Sequence, residues 1–189
     1  MKYIPIMEFP VLIIMVLVRA AMLRRKGIKA IVFGDTDKTD LILVPVVICA
    51  FYAILSAVFD LPFPSVLKKQ FWSIGILNWA AIVICTISLI WFGITLKVFG
   101  NSFRVGIDVK TSDDLITYGT FAFSRNPIYL SFIAFFLGIF LAYPTVITSV
   151  FLLFMVTMIH RQILREEKFL EGFYGKKYEE YCAGVHRYL

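Results

Sequence analysis

Charged residues gather in clusters along this chain, and between the clusters run long apolar stretches. Four of these stretches are long enough to cross a bilayer, where a spanning helix needs about 20 mostly apolar residues. The first runs from about Ile4 to Leu23, is interrupted only by Glu8 and Arg19, and ends in Arg24-Arg25-Lys26. Its basic residues follow the apolar run and no small-residue cleavage site closes it, so it reads as a retained helix and not a signal peptide. The second, Leu41–Phe59, carries no charge and is stopped by Asp60-Leu61-Pro62-Phe63-Pro64, whose two prolines cannot continue a helix. The third covers Gln70–Leu96, with the span itself at about 72–96. The fourth, Asn126–Ile159, would make a single helix about 50 Å long and overshoot a hydrocarbon core of about 30 Å. It must fold back, and Tyr143-Pro144 near its middle is the natural bend.

The pattern therefore predicts an all-α, polytopic bundle of about five spans, 4–23, 41–59, 72–96, 128–142 and 145–161. The last two form a tight hairpin, and the fifth helix continues out of the membrane through Arg161 and Arg165 toward a further helix in the final segment.

Composition strengthens this picture. Of 189 residues 60% are hydrophobic and 17% charged, with mean hydropathy +0.83, whereas soluble domains run about 45–50% apolar and about 25% charged. The apolar excess has to face lipid, which excludes a soluble or a disordered chain. The length fits one membrane domain, 1–189, with no room for a separate soluble catalytic unit. Cys49, Cys85 and Cys182 have neither paired nor metal-ligand spacing, so no disulfide and no metal site is expected.

The net charge of +6 comes from Lys and Arg at the ends of apolar runs, which points to orientation in a membrane and away from nucleic acid. The 24–40, 97–127 and 161–189 segments carry five, four and six Lys and Arg, against two in 60–73 and one before the first span. The positive-inside rule then places the N-terminus outside and the three basic segments, with the C-terminus, in the cytoplasm. Segments 97–129 and 161–189 thus face each other at one membrane edge, and both are more polar than connectors need to be.

In the first of these segments Arg125-Asn126-Pro127 stands where the loop enters the fourth span. Proline is suited to a first helical turn because its missing N–H would be unpaired there. Asn126 is placed to cap the helix, and the free N–H groups can hold a carboxylate or another electron-rich group. In the second segment Glu166 and Glu167 are adjacent, about 100° apart on a helix, so one is expected to face the bundle and the other water. A carboxylate beside a cavity can accept from an amino group or ribose hydroxyls and offset a cationic ligand. Of the two histidines, His160 is expected to cap the end of the fifth span and His186 to lie in a loose tail.

Leu115-Ile116-Thr117, Gly119, Arg125-Asn126-Pro127-Ile128-Tyr129 and, some 35 residues on, Glu166-Glu167, Phe173-Tyr174-Gly175, Tyr178, Tyr181 and Val185 together resemble the isoprenylcysteine carboxyl methyltransferase and phospholipid methyltransferase superfamily. The resemblance covers roughly residues 97–189. It implies an S-adenosylmethionine site on the cytoplasmic side. Its contacts would be Asp114, Leu115, Ile116, Phe121, Asn126, Pro127, Ile128, Tyr129 and Glu166, with Asp113 alongside. Arg161, Arg165 and Glu167 are the candidate catalytic residues. Asp108, Asp113, Asp114 and Tyr129 are further candidates to take a proton.

The acceptor implied is a lipophilic small molecule or a prenylated peptide arriving from the bilayer, and the Phe132, Phe135, Phe136 and Phe140 stretch suits a greasy tail. The chain departs from the superfamily pattern in having asparagine for histidine at Asn126, phenylalanine for tyrosine at Phe121, and Gln162 where carboxylate-methylating members place an arginine. A phospholipid amine or a small thiol is the alternative acceptor. Two other classes would keep the spans. A nicotinamide-dependent membrane reductase would show more basic and hydroxyl residues for an extra phosphate, and a non-enzymatic scaffold has no reason to pair the two polar segments.

Overall fold

The computed structural model describes residues 3–25, 43–100 and 115–189. The described residues form helices and turns: α1 (Ile4–Arg25), α2 (Leu43–Phe59), α3 (Ser65–Lys68), α4 (Gly75–Phe99), a 3-10 turn (Gly119–Ala122), α5 (Pro127–Ala142), α6 (Val146–Tyr174) and α7 (Lys176–Gly184). The fold is all-α, as the hydropathy pattern predicts. α1, α4 and α6 are long and apolar enough to cross a membrane, and in each only 28% of the most apolar window is buried within the protein. The outward side chains of these windows therefore require lipid as solvent. α2 and α5 are also apolar but shorter, at 17 and 16 residues.

Boundaries shift where local chemistry overrides hydropathy. α4 begins at Gly75 and not near residue 72, because Ile74 is extended (φ −113°, ψ 120°) and the Phe71 amide donates to the Pro144 carbonyl at 2.7 Å. α5 ends at Ala142, before Tyr143-Pro144, and α6 restarts from a capping box. There Thr145 Oγ1 accepts from the Thr148 amide at 3.3 Å and Thr148 Oγ1 accepts from the Thr145 amide at 3.0 Å. α6 then runs unbroken for 29 residues to Gly175, whose φ of 51° lies in the region that favours glycine. α3 and the 3-10 turn have no counterpart in the hydropathy pattern.

The closest packing in the bundle is between α4 and α5, and Gly138 makes it possible. A Cβ at this position would stand 2.5 Å from Cys85 Sγ and 3.2 Å from the Ala81 carbonyl oxygen, so a small residue sets the helix separation. Phe92, Phe135, Phe136, Ile139 and Phe151 fill the surrounding core. α1 docks through both of its mid-helix charges. Thr86 Oγ1 donates to Glu8 Oε1 at 2.7 Å, and Arg19 Nη2 donates to the Gly100 carbonyl at the end of α4. Trp91 Nε1 donates to the Pro127 carbonyl at 3.2 Å. The end of α1, the end of α4 and the start of α5 thus gather at one end of the bundle, while Tyr3 meets Phe59 at the other, with ring centroids 5.9 Å apart.

Candidate functional site

The turn into α5 is buried and held by its own short hydrogen bonds. Ser124 Oγ accepts from the Asn126 amide at 3.1 Å, and the Arg125 amide donates to the His186 carbonyl at 3.0 Å. Pro127 occupies the first helical turn. Asn126 does not cap α5 with its side chain as expected. Its Nδ2 instead donates to Glu167 Oε1 at 3.1 Å and to the Arg187 carbonyl at 3.2 Å. The bond from Nδ2 to the buried carboxylate is charge-assisted and orients the side chain. Ahead of the turn, Phe121 is buried, lies 5.1 Å from Phe99 ring to ring, and its carbonyl accepts from Tyr181 Oη at 2.6 Å. Burial pushes the Tyr181 phenol up to about 12, so this donor keeps its proton.

On α6 the two adjacent glutamates both find protein partners, so the expected split between bundle and water does not occur. They point about 100° apart, and different elements stand on the two sides. Glu167 is buried. Its Oε2 accepts from Arg187 Nε at 2.9 Å and meets Nη2 at 2.8 Å, while Oε1 lies 3.6 Å from Arg125 Nη2. Both oxygens are taken, and Glu167 acts as the tie between α6, the α5 turn and segment 185–189.

Glu166, half-buried, turns toward α5. Its Oε1 accepts from Tyr129 Oη at 2.5 Å and from Gln162 Nε2 at 2.9 Å. Among the described residues Oε2 has no hydrogen-bond partner. Burial pushes this carboxyl above the usual range, partly offset by the Tyr129 and Gln162 bonds.

The sequence-derived candidates therefore separate into groups. Phe121, Asn126, Pro127, Ile128, Tyr129, Glu166 and Glu167 converge at the junction of α5 and α6, with Leu115 and Ile116 half-buried just upstream. Arg161 is exposed and, among the described residues, reaches Met158 Sδ at 3.8 Å. Arg165 is half-buried and already partnered. Asp114, with Asp108 and Asp113, lies outside the described residues. His160 sits within α6 and its Nδ1 shares a 2.6 Å bond with Tyr188 Oη, so it caps nothing. His186 is held through its carbonyl.

Arg187 was not foreseen. The one signal for it was that a buried glutamate requires a cation, and segment 185–189 offers a single one. Two side-chain atoms near the turn, Thr120 Oγ1 and Arg125 Nε, are buried with no hydrogen-bond partner among the described residues. The junction thus presents an open carboxylate oxygen, a phenol and aromatic faces. That donor set fits a ligand with a positive centre and hydroxyl groups.

The family profile described as phospholipid methyltransferase matches residues 74–177, a stretch that includes α4, α5, α6, the first polar segment and the second as far as residue 177. Among curated proteins, the chain is 30% identical over 122 residues to a "Probable protein-S-isoprenylcysteine O-methyltransferase" from Oryza sativa subsp. indica, and equally to one of the same name from Oryza sativa subsp. japonica. The aligned stretch covers 62% of this chain and 62% of each relative. Since the profile takes in over half of the chain, with the α5 turn and Glu166-Glu167 inside its span, the chain belongs to the phospholipid methyltransferase family.

Proposed function

We propose that this protein is a single-domain, five-span membrane enzyme that transfers a methyl group from S-adenosylmethionine to a lipophilic acceptor at the cytoplasmic face of the bilayer. α5 and α6 form the closing hairpin, the N-terminus lies outside, and the basic segments lie inside with the cofactor site. The observation that carries this is the Tyr129–Glu166–Gln162 cluster, which leaves one oxygen of a half-buried carboxylate open at the membrane edge.

S-adenosylmethionine supplies an activated methyl group on a positively charged sulfur. Every other contribution comes from the chain. Glu166 Oε2 accepts from the hydroxyl or amino groups of the donor, while Tyr129 and Gln162 fix its other oxygen and so its direction. Leu115, Ile116, Phe121, Pro127 and Ile128 form the apolar wall around it, and Asn126 with Asp114 completes the contact set. Glu167 with Arg125 and Arg187 holds the walls of the site at fixed separation, which is what an in-line displacement needs most. Arg161 and Arg165 flank the mouth toward the headgroups. Because Asn126 cannot titrate and both Glu167 oxygens are engaged, an acceptor that needs no proton removed suits this site best.

Calorimetric titration of S-adenosylhomocysteine into detergent-purified protein tests the reading. Saturable binding is expected, with at least a tenfold loss in a Glu166→Ala variant that still melts cooperatively. A folded protein that binds no cofactor at millimolar concentration would refute it.

A further inference from the structure

Cys182 of α7 is half-buried at the polar junction and takes no part in the proposed transfer. Its neighbours Ala183 and Gly184 are exposed, so a small solute reaches its edge. Arg125 Nη1 donates to Cys182 Sγ, while Nη2 of the same guanidinium lies 3.6 Å from Glu167 Oε1. The Arg125 amide donates to the His186 carbonyl at 3.0 Å, and the next residue, Asn126, donates to Glu167 through Nδ2. One residue, Arg125, therefore connects the thiol to the turn into α5, to the buried carboxylate of α6 and to segment 185–189.

Two donors beside the thiol are unspent. Tyr178 lies four positions before Cys182, on the same face of α7. It is 3% exposed, and its Oη is buried with no hydrogen-bond partner among the described residues. It stands in the field of the same cluster, since burial and then Glu167 and Cys182 push its phenol up, while Arg125 lowers it. The phenol therefore keeps its proton and is a donor at neutral pH. Arg125 Nε is likewise buried and without a hydrogen-bond partner among the described residues. A phenol O–H and a guanidinium N–H around a half-buried thiol suit an adduct that brings oxygen acceptors, a carboxylate above all. The other two cysteines lack this setting. Cys85 is fully buried against α5, and Cys49 is exposed on the apolar helix α2, where a charged solute does not go.

We propose that Cys182 is a modification site for an anionic low-molecular-weight disulfide, and that the mixed disulfide formed there draws Arg125 away from Glu167 and loosens the cofactor site. In the exchange the Cys182 sulfur, as thiolate, attacks one sulfur of the reagent. The reagent's S–S bond breaks with its electron pair going to the leaving sulfur, which takes up the proton released by Cys182 and departs as a thiol. Cys182 is oxidised and half of the reagent is reduced, so no other oxidant is required. An excess of thiol runs the same step backwards. The carboxylates of the adduct compete with Glu167 for Arg125 and accept from Tyr178 Oη. The turn that positions Asn126, Pro127 and Tyr129 then loses its fastening. The ligand affected is the cofactor of the methyl-transfer reading, on which this part of the inference rests.

The test equilibrates full-length protein in phosphatidylcholine nanodiscs with glutathione and its disulfide, and in parallel with the cationic pair cysteamine and cystamine. Peptide mass spectrometry follows the adduct at each cysteine, and S-adenosylhomocysteine affinity and melting temperature are read on the same samples. Cys182 is expected to be the principal cysteine modified. Relative to a model peptide with one cysteine, Cys182 should favour the glutathione adduct over the cysteamine adduct. The glutathione adduct should weaken S-adenosylhomocysteine binding by about tenfold, within the usual range of coupling between two sites, and saturating S-adenosylhomocysteine should disfavour the adduct by the same factor. Dithiothreitol should restore the affinity. Cys182→Ser, which keeps an acceptor for Arg125, should bind the cofactor as untreated wild type does and be indifferent to the reagent. The proposal would be overturned by the absence of an adduct at Cys182, by an adduct that changes neither affinity nor melting temperature, by equal preference for the two reagents, or by an effect that persists in Cys182→Ser. A Cys182 adduct that lowers the melting temperature and raises hydrogen exchange at the Arg125 amide, in a protein that binds no S-adenosylhomocysteine before treatment, would keep the modification site and refute methyl transfer.

Discussion

Removing the Glu167 carboxylate should unfasten the end of the bundle that carries the site. The group is buried and reached by Asn126, Arg125 and Arg187. Glu167→Ala leaves two guanidinium groups facing each other without their anion. Breaking a fully buried ion pair costs about 3–5 kcal/mol. Here the Arg187 side chain is 37% exposed and water can take over part of its solvation, whereas Arg125 is only 14% exposed. Discounting the Arg187 share to that of a surface pair gives a loss of about 2–4 kcal/mol. For a chain of this size about 1 kcal/mol corresponds to about 2–4 °C, so the melting temperature in detergent should fall by about 5–15 °C. Glu167→Gln keeps the shape and an acceptor for Asn126 and should lose about half as much. Hydrogen exchange should rise at the Arg125 amide, whose partner is the His186 carbonyl, because segment 185–189 is released with Arg187. A Glu167→Ala protein melting within 1 °C of wild type would refute the tie.

Other perturbations read different parts of the structure. Because burial raises the Glu166 pKa, acidification should weaken S-adenosylhomocysteine binding at a pH above the ordinary glutamate value of about 4.3. Stability without ligand moves oppositely, being present below the unfolded pKa and lost as pH rises through the folded one. Glu166→Gln should flatten both profiles, and Tyr129→Phe, which removes a bond that lowers the Glu166 pKa, should move the binding midpoint upward. Gly138→Ala should cost about 1–3 kcal/mol by overpacking α4 against α5. Adding Cys85→Ala should restore part of it, because the nearest obstacle is then the Ala81 carbonyl oxygen at 3.2 Å. Equal melting temperatures for the single and double variants would contradict that packing. Tyr181→Phe should cost about 1 kcal/mol through its bond to the Phe121 carbonyl, measurable as a melting shift of about 2–4 °C.

Much of this architecture is legible in hydropathy. Long charge-free runs, a proline pair after Phe59 and Tyr143-Pro144 mark α1, α2, α4, α5 and the start of α6 to within a few residues. Asn126-Pro127 marks the start of α5 through backbone chemistry alone. What the sequence does not carry is which partner a polar side chain selects among several. Asn126 satisfies the rules for a cap, yet its side chain turns to give Nδ2 to the Glu167 carboxylate and the Arg187 carbonyl, and its oxygen caps no α5 amide. Two adjacent glutamates on a helix are expected to divide between protein and water, but Arg187 of segment 185–189 covers the second face. Arg187 lies 20 positions from Glu167, outside any helical period, and only the requirement that a buried carboxylate be paired hints at it. Arg19 is visible in the sequence as a charge within an apolar run, but its bond to the Gly100 carbonyl depends on how α1 and α4 align.

The central claim is methyl transfer at the Glu166 junction. The most direct measurement incubates membranes containing the protein with S-adenosylmethionine labelled in its methyl group and counts label in the organic extract. Wild-type membranes should incorporate label into an extractable product whose methyl is released as methanol by mild alkali, and Glu166→Ala membranes with equal protein should not. Incorporation unaffected by Glu166→Ala would contradict the assignment of the site, and a folded wild type that transfers no label to any lipophilic acceptor would contradict the activity.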